Sequence, residues 1–418
     1  MSLSGALNSA VSALSAQSTA LAMISDNIAN ASTYGYKTSS ASFESLLTGT
    51  SSSTYSAGGV AVSTVSNISM QGLLTSSTTA TNMAIDGSGF FVVTTGTDSA
   101  NTSYTRNGAF TVNESGYLTN GEYYLQGWPT DAEGNVTGGT TASALQSINT
   151  TAVSSIAAAT TEMSMQANLP AEAATNATFT SEVEIYDSLG TAAKTTVTWE
   201  KTGENAWTAT FSNPTSTDGT STLGTVTSDP ITISFNADGT LASTSPSPPT
   251  LTIANWTTGA ADSSVTLDMG SAGTATGLSQ LSTSAETLGV SLETEQDGVS
   301  FGSLTGVSIS DGTVYASYDN GTQRAIYKVA VATFNNPDGL NAEGSGVYSA
   351  STESGASTLN IAGTNGAGTV VGSKLEASTS DTSTEFSNMM SAQQAYSAAA
   401  QVMSAANKMY DTLITAVR

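Results

Sequence analysis

Residues 3–30 read LSGALNSAVSALSAQSTALAMISDNIAN, and residues 383–417 read STEFSNMMSAQQAYSAAAQVMSAANKMYDTLITAV. In the first stretch Leu3, Leu7, Ala10, Leu14, Leu21, Ile24 and Ile28 recur on alternating steps of three and four, with Gln17 as the polar member. In the second, Phe386, Met389, Tyr396, Ala400, Met403, Tyr410, Ile414 and Val417 do the same, with Gln393 and Asn407 as polar members. Such a repeat keeps an apolar seam turned toward a partner helix. The spacing predicts two long helices, one from about Leu3 with Ser2 as its cap to Asn30, the other from about Ser383 to Val417. At ~1.5 Å per residue the first spans roughly 40 Å. The fold class expected is α+β and multi-domain, with the terminal helices forming a coiled-coil-like pair. An apolar heptad more often marks an intramolecular core than an assembly surface. Here both stripes lie at the chain ends and Ala and Ser fill the remaining faces, so packing of many copies side by side is the expectation.

Everything between the helices reads as strands and turns. Val60, Val62, Val65 and Ile68 begin a period-two pattern, followed by Ala84-Ile85 and Phe90-Phe91-Val92-Val93 around Asp86-Gly87. A second β block begins near Glu162 and includes Val183–Tyr186, a hairpin from Thr195–Trp199 to Trp207–Phe211, and Ile231–Phe235. A third runs from Leu288 to Phe334, with Asp297-Gly298, Asp311-Gly312 and Asn320-Gly321 as turns tolerant of positive φ. The organisation expected is nested. Residues 1–37 and 375–418 form a helical domain, and 38–70 and 360–374 are linkers or hinges. Residues 71–160 and 286–359 form a first β domain, into which a second, 161–285, is inserted. Gly35, Gly58, Gly59, Gly363 and Gly372 are the expected hinge points.

Composition narrows function. The chain has 418 residues and a formal charge of -24, from 33 acidic and 9 basic side chains. That balance opposes nucleic-acid binding, which needs clustered Lys and Arg, and disfavours anionic lipid. With no Cys and no His, Ser-His-Asp and Cys-His catalysis, His-ligated haem and most zinc sites are excluded. Roughly a third of the residues are Ser or Thr, a bias toward surface and secreted proteins. No run of about 18 apolar residues occurs, so no membrane-inserted helix is expected. The N-terminus has no basic residue before Lys37 and does not read as a cleavable signal, so export by another route is expected.

Other motifs carry little chemistry. Gly363–Gly368 lacks the Lys-Ser/Thr ending of a phosphate loop. Asp86–Gly89 and Asn336–Gly339 lack the further carboxylates that calcium requires. A Ser-Lys dyad at Lys194 or Lys328 is uninformative where Ser is so abundant. No catalytic, metal or cofactor site is expected. A two-carboxylate glycosidase and a secreted Ser/Thr-rich β-adhesin are the readings of other classes.

Several segments are specific. Ile24-Ser25-Asp26-Asn27-Ile28-Ala29-Asn30-Ala31 with Thr33-Tyr34-Gly35-Tyr36-Lys37 closely resembles the N-terminal signature of flagellar rod and hook proteins. Ala84–Phe91, Tyr104-Thr105-Arg106-Asn107-Gly108-Ala109-Phe110, Leu375-Glu376-Ala377-Ser378 and Glu385–Tyr396 resemble further motifs of that family. Asp26, Thr379-Ser380-Asp381 and Gln394 depart from the usual pattern at single sites. Val183–Gly190 and Ile233–Leu241 are similar to segments of the hook-type members that shorter rod proteins lack, which favours the hook type over its nearest rival, a distal rod or hook–filament junction subunit. The resemblance implies a non-enzymatic subunit that polymerises into a curved tube joining rod to filament and transmitting torque as a universal joint. It implies export through the flagellar type III apparatus, an extracellular location at the flagellar base, and rod, hook-cap and hook–filament junction proteins as partners. Terminal helices would form the inner layer, with the first β domain in the middle and the inserted one outside. To the seam residues the motif segments add Asn27, Asn30 and Met390 as expected assembly contacts.

Overall fold

The computed structural model describes residues 3–51, 54–97, 102–283 and 288–416. The expected cap Ser2, the seam residue Val417 and the boundary at 285/286 lie outside them. The chain divides into two compact units. One comprises Met1–Ala152, Gly306–Ser317 and Gln323–Arg418, the other Val153–Thr305 and Tyr318–Thr322.

In the first unit, helix α1 (Leu3–Ala29) packs along helix α2 (Thr382–Ala416). Asp381 starts α2, because its carboxylate accepts the Thr384 amide at 2.9 Å and its carbonyl accepts the Glu385 amide, satisfying orphan donors of the first turn. That hydrogen bond also holds the Asp381 carboxyl below the usual carboxylate range. The expected linker after α1 is a long antiparallel hairpin, β1 (Ser39–Ser51) with β2 (Thr54–Ser66), in which Phe43 faces Val62 and Ser39 faces Ser66. A two-stranded ribbon is marginal alone, and this one lies along α1. The Ser12 hydroxyl accepts the Val60 amide at 3.2 Å.

The β body of this unit is a mainly antiparallel sheet. Its strands run in the order Gln323–Thr333, Tyr123–Pro129, Phe90–Thr94, Thr102–Thr105, Val347–Ser349 and Asn341–Gly344. Phe90, Val92, Tyr104, Trp128, Ala330 and Tyr348 fill its core, and Phe334 meets Tyr104 edge to face at 4.8 Å. Residues 360–374, expected as a linker, carry strand Thr369–Gly372, which pairs with Met83–Asp86 and aligns Val370 with Ile85.

The second unit is a sandwich of two sheets. One is an antiparallel meander of Thr178–Tyr186, Ala192–Gly203, Ala206–Phe211, Ile231–Phe235 and Leu241–Ser245. The other centres on Glu162–Asn168, which runs parallel to Ser263–Asp268 and antiparallel to Leu292–Gln296. Strict alternation of buried and exposed positions along these strands points one face inward. Trp199, Trp207, Met163, Met165, Val197 and Leu267 fill the interior. The turn in Val183–Gly190 is held by fully buried Asp187, whose carboxylate accepts the Leu189 and Thr191 amides and the Thr258 hydroxyl.

Candidate self-assembly surface

The two helices use only part of their apolar surface on each other and on the hairpin. Along α1, Ala10, Ala16 and Ala20 are buried, while Leu7, Leu14, Leu21, Ile24 and Ile28 are half-buried. Along α2 the buried line is Glu385, Ala392 and Ala406, flanked by half-buried Met389, Ala399, Met403 and Tyr410. This corrects the expected seam by one residue at alternate positions. Phe386, Gln393 and Asn407 point to solvent, and the residue before each of them is buried instead. At 392 and 406 small side chains win the inner line because they let the helix backbones approach closely.

The consequence is apolar surface left open along α2. Phe386 is 55% exposed, Met390 61%, Leu413 58% and Ile414 59%, and Tyr396, Val402 and Met409 are also exposed. On a lone subunit this is a run of large apolar side chains along a long helix without a partner, which marks an interaction site.

At the root of the helices one polar network fixes the chain. Asn27, 2% exposed, is fully used. Its amide NH2 donates to Ser39 O at 2.9 Å and to Glu385 Oε1 at 3.0 Å, and its Oδ1 accepts the Ser39 amide and the Tyr36 hydroxyl, each at 3.1 Å. It thereby ties α1, β1 and α2 together. Burial, then the nearby Asp26 and Glu385 carboxylates, push the Tyr36 phenol upward. Asn30 closes α1 by donating to Asp26 O at 2.9 Å.

Beside it lies a buried charge cluster. Glu376 Oε1 accepts Lys37 Nζ at 2.5 Å and the Gly72 amide at 2.7 Å, while Oε2 stands 3.3 Å from the Arg106 guanidinium. Lys37 also donates to Met70 O, and Arg106 to Gly87 O at 2.9 Å. The three side chains are 0 to 3% exposed. Burial pushes the Lys37 ammonium and the Arg106 guanidinium down, and Glu376 opposes both shifts. The cluster was not singled out in the sequence, although each member stands in a different one of the resemblance motifs and basic residues number only 9. Scarce charges placed in separate motifs were the available signal.

The glycines expected as hinges are close-packed or turn positions. A Cβ on Gly35 would lie 2.6 Å from the Asn107 amide nitrogen, on Gly58 2.3 Å from Leu46 O, on Gly59 2.3 Å from Ser12 Oγ and on Gly372 1.8 Å from Ile309 O. Only glycine permits such approach. Gly363 turns at φ +75° with its amide bonded to Gly368 O at 3.0 Å. Among the described residues, no cluster of metal-ligating side chains occurs and no helix is long and apolar enough to cross a membrane.

Four families match successive parts of the chain. Residues 7–37 match the flagella basal body rod protein family, and 84–176 the flagellar hook protein FlgE/F/G D1 domain. Residues 154–299 match the flagellar basal body protein FlaE D2 domain, and 372–416 the flagellar basal body rod FlgEFG protein C-terminal family. The chain is 34% identical to the flagellar hook protein FlgE of Rhizobium meliloti (strain 1021) across the whole of both. It is 32% identical to that of Escherichia coli (strain K12), over 98% of this chain and 99% of the relative. In fold it is similar to the crystal structure of Helicobacter pylori flagellar hook protein FlgE2, with a TM-score of 0.52 at 13% identity, over 72% of this chain and all of that one.

Proposed function

The chain belongs to the flagellar hook protein family, and we propose that its copies polymerise into the hook through the apolar surface of α2 that its own α1 and hairpin leave open. The observation that carries this is the set of large apolar side chains that α2 leaves exposed, Phe386, Met390, Leu413 and Ile414, beside its packed line. Apolar surface of this kind, buried on association, drives polymerisation by the hydrophobic effect. The seam residues Leu7, Leu14, Leu21 and Met403 set the spacing of the helix pair, and the exposed ones contact neighbours.

The subunit has no catalytic role on this reading. The tube passes torque from rod to filament while Ala/Ser-rich and Met-bearing helix faces shift against one another, Met being adaptable in its packing. Because the expected hinge glycines are close-packed, that flexibility resides between copies rather than at the root of each helix pair. Rod, hook-cap and hook–filament junction proteins are its neighbours along the axis, and the type III apparatus exports it. The test is genetic. Cells lacking the chain should be non-motile and carry rods without hooks or filaments, and antibodies to residues 153–305 should label a short curved segment at the base of wild-type flagella. Hooked, motile cells in its absence would contradict the proposal.

A further inference from the structure

A groove of about 460 Å³ opens within the first unit where α1, β1 and α2 meet. Met23, Ile24 and Phe43 supply apolar wall, and Phe43 is 47% exposed beside it. Among its polar lining, which includes Gln17, Asn388 and Ser391, the one charged group is the Glu385 carboxylate, 9% exposed. Oε1 of that group accepts Asn27, while Oε2 accepts nothing among the described residues. No cation pairs with Glu385 among the described residues, unlike Glu376, which two cations share. A carboxylate oxygen that opens into the groove without a protein partner is free to take an incoming cation. An apolar wall ending in a carboxylate suits an aliphatic stem with a cationic head, the shape of a lysine side chain.

We infer that this groove receives Lys408 from a second copy of the chain. This rests on the assembly reading above and names one contact within it. Basic side chains are scarce, and Lys37, Arg106 and Lys201 are buried in their own units. Among the described residues of the two helices, Lys408 is the one basic side chain, and it is exposed. Within one chain it stands roughly 35 Å along α2 from Glu385, at ~1.5 Å per residue, so it does not serve its own groove. A neighbour displaced along the helix axis brings the two together. The pairing also gives a register to an otherwise slippery Ala/Ser surface, the use for which buried polar contacts are best attested.

Two measurements decide it. Wild-type tubes treated with a carbodiimide, which joins a carboxylate to a touching amine with loss of water, should yield a Glu385–Lys408 amide by mass spectrometry. Given the spacing on one helix, that bond joins separate copies. Lys408→Glu should raise the critical concentration for assembly by about tenfold or more. Glu385→Gln, which keeps the acceptor for Asn27, should raise it several-fold with the monomer melting temperature unchanged. Combining Glu385→Lys with Lys408→Glu should restore assembly toward the wild-type concentration. Tubes that lack the amide, together with Lys408→Glu assembling at the wild-type concentration, would overturn this contact and leave the assembly reading standing. A wild-type protein that forms no tubes would defeat both.

Discussion

Glu376 is a single carboxylate shared by Lys37 and Arg106 in an interior that leaves all three nearly without solvent. Removing one member of such a cluster strands the others, which costs more than the cluster itself contributes. Glu376→Gln should therefore destabilise the first unit by about 3–5 kcal/mol, read as a fall in its calorimetric transition. A loss below about 1 kcal/mol, the range of an exposed pair, would contradict the burial. Tyr348 offers a pH test close by. Burial first, then the neighbouring Tyr36 and Glu376, push its phenol up to about 12. Because its folded pKa lies above the unfolded value near 10, this stabilisation is complete below pH 10 and disappears as pH rises from 10 to about 12. The loss is of order 3 kcal/mol at ~1.4 kcal/mol per unit, and Tyr348→Phe should remove this part of the alkaline slope. Lys37, whose folded pKa is depressed, works the other way: its strain eases as pH rises toward 10.5, so the difference between wild type and Tyr348→Phe isolates the phenol. At this scale the sequence was least legible. Lys37, Arg106 and Glu376 lie far apart in the chain, and only the fold shows that they meet.

At the scale of elements, the long helices were legible because a 3.5-residue apolar period survives any detail of packing. Their inner line was not. In α2 alanines stand at 392, 395, 398, 399, 400, 405, 406 and 416, so hydrophobicity alone does not choose between adjacent phases. Close approach of the backbones does, and it selects Ala392 and Ala406 over Gln393 and Asn407. Ala406→Leu should accordingly overpack the helix pair and cost about 1–3 kcal/mol, seen as lost helical circular dichroism at lower temperature with the β signal retained. An unchanged helical melt would place Ala406 outside the seam. The β1–β2 hairpin was read as a linker because Ser, Thr and Gly dominate it. Its order comes from outside its own sequence, through Ser12 and Asn27 of α1.

At the scale of the whole molecule, the nested order of helix, β body, second β unit, β body and helix follows from pattern, since alternating strands with Asp-Gly and Asn-Gly turns are local signals. The extent of the second unit is not a local signal, because it depends on which strands share a core. We propose that residues 153–305 fold alone, with Trp199 and Trp207 buried in a sandwich closed by its own strands. A fragment of that span should melt cooperatively, and a non-cooperative melt would count against its independence. The central claim is that the apolar surface α2 leaves open builds the polymer. Electron microscopy of concentrated wild-type protein beside Met390→Asp, matched by thermal melts of the two monomers, tests it most directly. Met390 is 61% exposed, so the melts should agree within about 0.5 kcal/mol, while the wild type forms tubes and the variant forms none, each intersubunit contact then carrying an unpaired buried charge. Tubes of normal yield from Met390→Asp, or none from the wild type, would contradict the account.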